Sequence, residues 1–451
     1  MLKRGVFILV CIALPISIFA QTIMLRDPVI MGAVEDISVA NIERTITDLV
    51  AFHTRHNLST QTDLAKGIGA AADYLYNRVA AYTPSSNGRL SVDKIFYDAG
   101  GEGTRLGRDV KLCNVVATIK GSDPSDDRVI IALAHYDSRS FDNTDGTTYA
   151  PGANDNGSGV ACLMEMVRII SAMDTPVTVK LIFLSGEEHG LLGAQHMANL
   201  AKEESWNIIG VLNNDMIGNS NASQTNTQTN CVIRVFSENI PASETDAQRR
   251  VRIFNSFEND SPSRQFARYV KETGERYVDN MLVQLIYRND RFGRGGDHTP
   301  FCRNGFTAVR ICEVNENYDR THQEVSEKDG IKYGDEIWAV DFEYVRKNTG
   351  VNLSTILNLA LAPDMPQDVT VNISGLSNTS KISWNPPARG KSVKGYYLLI
   401  RETDHPMWQK KILVYDTKIE VPYSKDNYLF AVQSIDEKGH ESIAAMAYGK
   451  N

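Results

Sequence analysis

From Lys111 onward the sequence alternates between short apolar runs and stretches with helical spacing, and this alternation restricts the possible folds more than any other feature. Short apolar runs bounded by turn residues are typical of strands buried on both faces of a sheet. The predicted strands are 114–119, 129–134, 177–184 and 208–212, and the predicted helices between them are 160–170 and 191–200. The sequence therefore predicts an α/β domain in which helices cover a sheet.

The flanking segments complete this domain. Apolar residues at helical spacing between Asp36 and Tyr82 predict helices that cover the sheet. Residues 219–262 are rich in Asn, Ser, Thr and Gln, and we interpret much of this stretch as an insertion or loop around a strand at 232–236. The remaining predicted elements are a helix at 266–277, strands at 282–287 and 306–311, and a long helix at 340–361.

A change of pattern near residue 362 predicts a second domain. Pro363 and Pro366 indicate a linker, and short alternating runs separated by turns follow it. This pattern is typical of an all-β sandwich. Trp384 in an early run and Tyr428 at the start of a later one resemble a fibronectin type III domain, and no cysteine follows Cys312 to form the disulfide of an immunoglobulin domain.

The first twenty residues have the pattern of an export signal. Lys3 and Arg4 precede an apolar run at 6–14, and a short stretch ending in Ala20 follows, so we expect cleavage before Gln21. A membrane anchor is the alternative, but it needs about twenty apolar residues. We expect export to the periplasm or the medium, without stable membrane insertion. The expected division is a signal peptide at 1–20, an α/β domain at 21–362 and a fibronectin type III-like domain at 363–451.

The charge distribution argues against a nucleic-acid-binding protein, and the cysteine count argues against a fully disulfide-paired scaffold. The formal net charge is -8, and the basic residues are interspersed with acidic ones, so we expect no nucleic-acid partner. Six cysteines less Cys11 in the signal segment leave five, and an odd number excludes a fully paired disulfide framework. One disulfide remains compatible with the sequence.

Acidic and imidazole residues follow the ends of the predicted strands. They are His135 and Asp137 after strand 129–134, Glu187 and Glu188 after strand 177–184, Asp215 after strand 208–212, and Asp155 and His298 in loops that lead into helices. In open α/β sheets, ligands bind outside the carboxyl ends of the strands. We therefore expect these side chains to meet in one crevice.

These residue types point to metal chemistry. Carboxylate and imidazole groups are the ligands that zinc takes where thiolates are absent. We assign Asp155 as a carboxylate that bridges two Zn²⁺ ions, His135 and Asp215 to one ion, and Glu188 and His298 to the other.

Hydrolysis at such a site also needs a proton acceptor. Glu187 is the candidate general base and acid, because neighbouring carboxylates in a turn can face different ways. Asp137 lies two residues from His135, and we expect it to hold the imidazole in place.

Each of these residues has a simpler interpretation when it is taken alone. Asp155 fits a turn, and Glu187 and Glu188 fit the first turn of a helix, where acids complement the helix dipole. Only the joint arrangement favours a site. His322 is a candidate for the rim of the crevice. Three arginines are candidates for binding a substrate carboxylate or for an ordinary solvated loop: Arg288, Arg291 and Arg294.

The sequence resembles the zinc exopeptidase family that contains the bacterial leucyl aminopeptidases and, more distantly, glutamate carboxypeptidase, glutaminyl cyclase and the transferrin receptor. The matching segments are Ala-His-Tyr-Asp-Ser at 134–138, Pro-Gly-Ala-Asn-Asp-Asn-Gly-Ser-Gly at 151–159, Ser-Gly-Glu-Glu-His-Gly-Leu-Leu-Gly at 185–193, Asn-Asn-Asp-Met at 213–216 and Gly-Asp-His-Thr-Pro-Phe at 296–301. The resemblance implies a three-layer α/β/α sandwich with a mostly parallel, twisted sheet. It also implies the same five metal ligands, the same general base and a cis peptide bond after Asp155.

We therefore expect an exported two-zinc aminopeptidase that acts on the N-termini of peptides or proteins. A carboxypeptidase or glutaminyl cyclase of the same fold is one alternative, and a non-catalytic, receptor-like adhesion protein is another. An intact ligand set with its base disfavours the latter. For the C-terminal domain, a spacer or packing role is the simpler expectation, and binding of protein or carbohydrate is the alternative.

Overall fold

The computed structural model describes residues 24–451, so the predicted signal segment lies outside the described residues. Its helices are α1 (Pro28–Glu35), α2 (Val39–Val50), α3 (Gly67–Ala80), α4 (Gly157–Ser171), α5 (Leu192–Glu203), α6 (Asp246–Asn255), α7 (Pro262–Tyr277), α8 (His298–Arg303) and α9 (Phe342–Leu361). The strands up to α9 are β1 (Leu90–Ala99), β2 (Val110–Ile119), β3 (Arg128–His135), β4 (Thr178–Leu184), β5 (Asn207–Asn214), β6 (Val232–Ser237), β7 (Leu282–Ile286), β8 (Ala308–Glu313), β9 (Ser326–Lys328) and β10 (Ile331–Tyr333). The strands after α9 are β11 (Gln367–Asn372), β12 (Ser380–Asn385), β13 (Gly395–Glu402), β14 (Lys410–Val414), β15 (Lys418–Val421), β16 (Tyr428–Ile435), β17 (Ala445–Met446) and β18 (Tyr448–Lys450).

An eight-stranded sheet in the order β1-β2-β4-β3-β5-β8-β6-β7 forms the centre of the α/β part. The four strands β4, β3, β5 and β8 run parallel to one another. Antiparallel pairing joins β1 to β2, β2 to β4, and β6 to β8, so the sheet is mixed toward its edges. Because every residue of β3 is buried, its apolar run reflects a strand covered on both faces.

Helices cover both faces of this sheet, which confirms the predicted layered α/β class. On one face α2, α4, α7 and α9 contribute to a large apolar core that includes Ile46, Leu163, Phe266 and Ile356. On the other face α5 and α8 pack through a smaller core that includes Met197.

Several elements were not predicted from the sequence, among them helix α1, the short strands β9 and β10, edge strand β1 and helix α6. Edge strand β1 alternates irregularly between exposed and half-buried positions, with few buried residues. Helix α6, inside the polar stretch 219–262, has no buried residue at all. The apolar alternation of β1 is interrupted, and α6 has Val251 and Phe254 at helical spacing but lies within the polar stretch that we interpreted as an insertion or loop.

The residues after α9 form two four-stranded sheets, β15-β12-β11-β18 and β14-β13-β16-β17. Their facing sides enclose a separate apolar core that includes Trp384, Tyr396, Leu398 and Val432. This confirms the predicted all-β class of the C-terminal part. Its relation to fibronectin type III domains stays a prediction.

Buried ion pairs join the β-sandwich to the α/β part. Both carboxylate oxygens of Asp260, just before α7, accept from Arg401 of β13 at 2.7 and 2.6 Å, and Arg268 of α7 donates to the same group at 2.9 Å. Glu441 of the sandwich pairs with Arg276 of α7. Charges removed from water in this way require their partners, so the two parts are tied together in a fixed arrangement.

Two further features bear on the predictions from the sequence. Within residues 24–451 no disulfide forms, and the five cysteines Cys113, Cys162, Cys231, Cys302 and Cys312 are free thiols. None of the helices described between Pro28 and Leu361 combines the length and apolar character needed to cross a bilayer.

We predict that Glu441→Gln destabilises the protein by about 3–5 kcal/mol near neutral pH, because the largely buried guanidinium of Arg276 then loses its charged partner. Burial alone would raise the pKa of Glu441, but Arg276 and Lys411 outweigh it and lower the pKa to about 2 from its ordinary 4.5. The carboxylate therefore stabilises the fold fully above pH 4.5, and this stabilisation is lost as the pH falls toward 2.

Urea unfolding of both proteins at several pH values measures the difference in unfolding free energy, which should narrow as the pH falls below about 4.5. Glu437→Gln, which removes an exposed carboxylate 3.7 Å from Lys394, is the matched control and should change stability little. Equal stabilities of wild type and Glu441→Gln at pH 7 would contradict the prediction.

Candidate metal centre

The carboxyl ends of the parallel strands meet at one edge of the large sheet, and polar side chains gather there. His135 is the last residue of β3, Asp215 follows β5 directly, and Glu187 and Glu188 lie in the turn between β4 and α5. Asp155 lies in the loop that leads into α4. Sites at this edge are expected in open α/β sheets, because the loops that follow neighbouring parallel strands are adjacent.

Two groups of side chains at this edge are close enough to hold metal ions. One consists of His135, Glu187 and Asp215, and the other of Asp155, Glu188 and His322, with the ligand atoms of each group within 4.8 Å of one another. Asp155 connects the two groups. Its Oδ1 lies 3.3 Å from Nε2 of His135, and its Oδ2 lies 3.0 Å from Nε2 of His322.

The structure does not bring His298 to Glu188, which corrects the ligand assignment made from the sequence. His298 begins α8, is buried, and has its Nε2 2.9 Å from the main-chain oxygen of Asn289, so its ring is engaged in the loop before α8. His322 takes the predicted place, with Nε2 2.9 Å from Oε1 of Glu188. The loop after β8 folds back over the sheet edge, and this return cannot be read from residue spacing.

Asp137 lies where it holds both His135 and the turn with the two glutamates. Its main-chain oxygen is 3.1 Å and its Oδ1 is 3.5 Å from Nδ1 of His135. Its carboxylate accepts the backbone N–H groups of Glu187 at 3.3 Å and Glu188 at 3.1 Å, and Asn57 donates to it at 2.6 Å. Burial alone would raise the pKa of Asp137, but His135 and Asn57 hold it below its ordinary value.

Two buried charged residues far away in sequence fix the loop that carries Asp155. Arg55 donates to the main-chain oxygens of Pro151 at 2.5 Å and Gly152 at 2.8 Å. Asp335 accepts the backbone N–H of Asp155 at 2.6 Å. The peptide bond between Asp155 and the next residue is cis, as the family resemblance implied. Nothing in the sequence marks Arg55 or Asp335 as parts of a site.

Arginines pair with the outer oxygens of two carboxylates. Arg310 of β8 is fully buried, and its Nη2 lies 3.1 Å from Oδ2 of Asp215. Arg139 lies 3.3 Å from Oε2 of Glu188. Sequence reasoning missed both, although Arg310 interrupts the apolar run of predicted strand 306–311, and a charge inside a buried strand indicates a paired site.

The cluster carries an excess of negative charge that favours bound cations. Burial opposes protonation of both imidazoles, yet Asp137, Asp155 and Asp215 raise the pKa of His135 well above its ordinary value. Glu188 and Asp155 likewise raise the pKa of His322 to about 10 against the effect of burial. The imidazole and carboxylate donors fit zinc, which binds nitrogen and oxygen ligands.

The two groups form the floor of an open cleft of about 780 Å³. Five of their members line it: Asp155, Glu187, Glu188, Asp215 and His322. A volume of this size accommodates a small ligand or the end of a peptide.

Comparisons with known proteins agree with this geometry. The model of peptidase family M28 matches residues 114–336. A probable zinc metalloprotease of Leptosphaeria maculans is 40% identical over 422 residues, which cover 93% of this chain and 96% of that protein. The chain belongs to peptidase family M28. It is therefore a zinc metallopeptidase.

Solved structures share the fold of this M28 peptidase. The LapA aminopeptidase of Legionella pneumophila matches with a TM-score of 0.52 and 20% identity, over 74% of each chain. A leucine aminopeptidase precursor of Bacteroides thetaiotaomicron matches with a TM-score of 0.51 and 17% identity, over 71% of this chain and 97% of that chain.

We predict that the M28 peptidase loses about half of its bound zinc when His322 is replaced by alanine, because one ligand group then keeps only two side chains. His298→Gln should keep its zinc, since Gln retains a donor for the main-chain oxygen of Asn289. Zinc per chain is measured by plasma mass spectrometry after dialysis, and thermal unfolding checks that each variant is folded. Zinc loss in His298→Gln with full retention in His322→Ala would restore the assignment made from the sequence.

Proposed function

We propose that this zinc metallopeptidase is a two-zinc aminopeptidase that removes N-terminal residues from peptides or proteins. The observation that carries the proposal is the position of Asp155, whose two carboxylate oxygens face the two ligand groups, with Glu187 beside them in the cleft. Such a shared carboxylate is what a pair of neighbouring metal ions requires.

The ligands divide between the two ions. Asp155 would be shared between them, His135 and Asp215 would complete one set, and Glu188 and His322 would complete the other. Two zinc ions bound there would polarise the scissile carbonyl group and lower the pKa of a water molecule. In this arrangement His322 replaces His298 of the sequence prediction.

Glu187 is the proton carrier in this proposal. Its backbone and that of Glu188 are held by the carboxylate of Asp137, so that one turn presents two carboxylates in different roles. Glu188 would hold a metal ion, and the Glu187 carboxylate, which lines the cleft, would take a proton from the attacking water and pass it to the leaving amine. Asp137 acts as a positioning residue for this turn and for His135.

We expect Glu187→Gln to lower kcat for leucyl p-nitroanilide by about 10²–10⁴-fold, because the amide cannot accept the proton. Zinc content should stay unchanged, since the five assigned ligands remain. Glu203→Gln on the surface of α5 is the matched control and should keep full activity. Undiminished hydrolysis by folded Glu187→Gln would contradict the assignment.

The same assay separates the alternatives within the fold. An aminopeptidase cleaves a peptide with a free N-terminus and leaves its N-acetylated form intact. A carboxypeptidase cleaves both, and a glutaminyl cyclase converts an N-terminal glutaminyl peptide without hydrolysing it. Chelation should abolish the activity and added zinc should restore it.

Export is the second part of the proposal. It is supported by the basic start and the apolar run at residues 6–14. We expect the protein in the periplasm or medium of its host, with a mature N-terminus at Gln21. Cell fractionation and N-terminal sequencing test this, and an uncleaved protein in the cytoplasm would contradict it.

A further inference from the structure

The first hollow is the cleft above the metal ligands, and a second hollow of about 680 Å³ adjoins it. The two hollows have four wall residues in common: Arg291, Arg294, Glu316 and Tyr318. Since the first hollow already has the size of a small-ligand pocket, roughly 300–1,000 Å³, the second adds room for further residues of a peptide.

Arginines without acidic partners line these hollows. Arg105, Arg294 and Arg303 border the first hollow and are exposed. Arg288 borders the second, where its guanidinium lies 3.6 Å from the centre of the Phe292 ring. No carboxylate oxygen within residues 24–451 lies within 4.0 Å of any of these four guanidinium groups.

Two carboxylates of the cleft, Glu316 and Asp215, pair with other arginines. Glu316, which lines both hollows, is held between Arg234 at 2.6 Å and Arg291. Asp215 on the floor pairs with Arg310. The floor of the cleft is acidic, and the four exposed arginines place positive charge on its walls instead, in a chain whose net charge is -8. A local cluster of one sign of charge attracts groups of the opposite sign.

A buried hydroxyl group in the same wall also lacks a partner. Thr299 is 8% exposed, lines the first hollow, and its Oγ1 has no hydrogen-bond partner. Arg303 lies one helical turn further along α8, so the two residues share a face of this helix. A hydroxyl donor beside a guanidinium suits a carboxylate, which accepts several hydrogen bonds.

We propose that the cleft selects acidic peptides, binding carboxylate side chains on the residues that follow the cleaved bond. This rests on the proposed aminopeptidase function, in which the N-terminal residue of the peptide binds at the floor of the cleft and the following residues lie along its walls. Arg294 and Arg303 are the specificity-determining residues, with Arg105 and Arg288 extending the positive wall. Lysine side chains at the same positions are repelled.

The test compares kcat/KM for the peptides Leu-Glu-Glu-Gly, Leu-Gln-Gln-Gly and Leu-Lys-Lys-Gly. We expect kcat/KM to fall in the order Glu peptide, Gln peptide, Lys peptide. The kcat/KM of the Glu peptide should exceed that of the Gln peptide at least about tenfold at 50 mM salt. This ratio should decrease at 500 mM salt, because ions screen exposed charges. The double variant Arg294→Gln/Arg303→Gln should lower this ratio at least about fivefold. Arg44→Gln on α2, an exposed arginine remote from the hollows, is the matched control and should keep the wild-type ratio.

Equal kcat/KM values for the Glu and Gln peptides, or a ratio unaffected by the double variant, would overturn the proposal. A binding measurement separates its failure from that of the aminopeptidase function. Fluorescence anisotropy with C-terminally labelled peptides and zinc-loaded Glu187→Gln needs no hydrolysis. If zinc-loaded Glu187→Gln binds the Glu peptide more tightly than the Gln peptide, and Arg294→Gln/Arg303→Gln added to it removes the difference, selection of acidic peptides is supported even if no peptide is cleaved. Equal binding of the two peptides excludes selection.

Discussion

The mutual repulsion of four carboxylates at one edge of a sheet is the constraint on which the rest of this structure depends. Asp155, Glu187, Glu188 and Asp215 lie within reach of the two imidazoles that belong to the groups. Like charges at this spacing disfavour one another unless positive charge stands between them. The cluster is therefore stable as a cation site, and zinc is the cation that the family uses.

Hydrogen bonds and ion pairs from the surrounding structure hold the carboxylates in place against this repulsion. Arg55 and Asp335 hold the loop of Asp155 from two sides, and Asp137 holds a second loop through its backbone N–H groups. Arg310 reaches Asp215 from within a buried strand. Each anchor comes from a different part of the chain, so the geometry of the floor depends on the whole α/β fold. The walls of the two hollows differ from the floor, because their four exposed arginines pair with no carboxylate of the described chain. These arginines are the ones proposed to bind substrate.

Much of the fold and of the site could be predicted because both follow from local patterns. Buried strands appear as apolar runs, and polar residues directly after them indicate the functional edge; this located His135, Glu187, Glu188 and Asp215. The same rule favours His322, which follows β8, over His298, which precedes β8. Because several loop residues separate the end of β8 from His322, the sequence does not show that this loop folds back to the sheet edge. Edge strand β1 and helix α6 carry only weak local signals, and anchors such as Asp335 carry none, because tertiary contacts define them.

Anomalous diffraction at the zinc absorption edge, from crystals of the zinc-loaded protein, tests the central claim most directly. We predict two zinc peaks about 3.5–4 Å apart on either side of the Asp155 carboxylate. One should contact His135 and Asp215, and the other Glu188 and His322. A single peak, or a pair of peaks away from Asp155, would contradict the shared-carboxylate centre and the mechanism that depends on it.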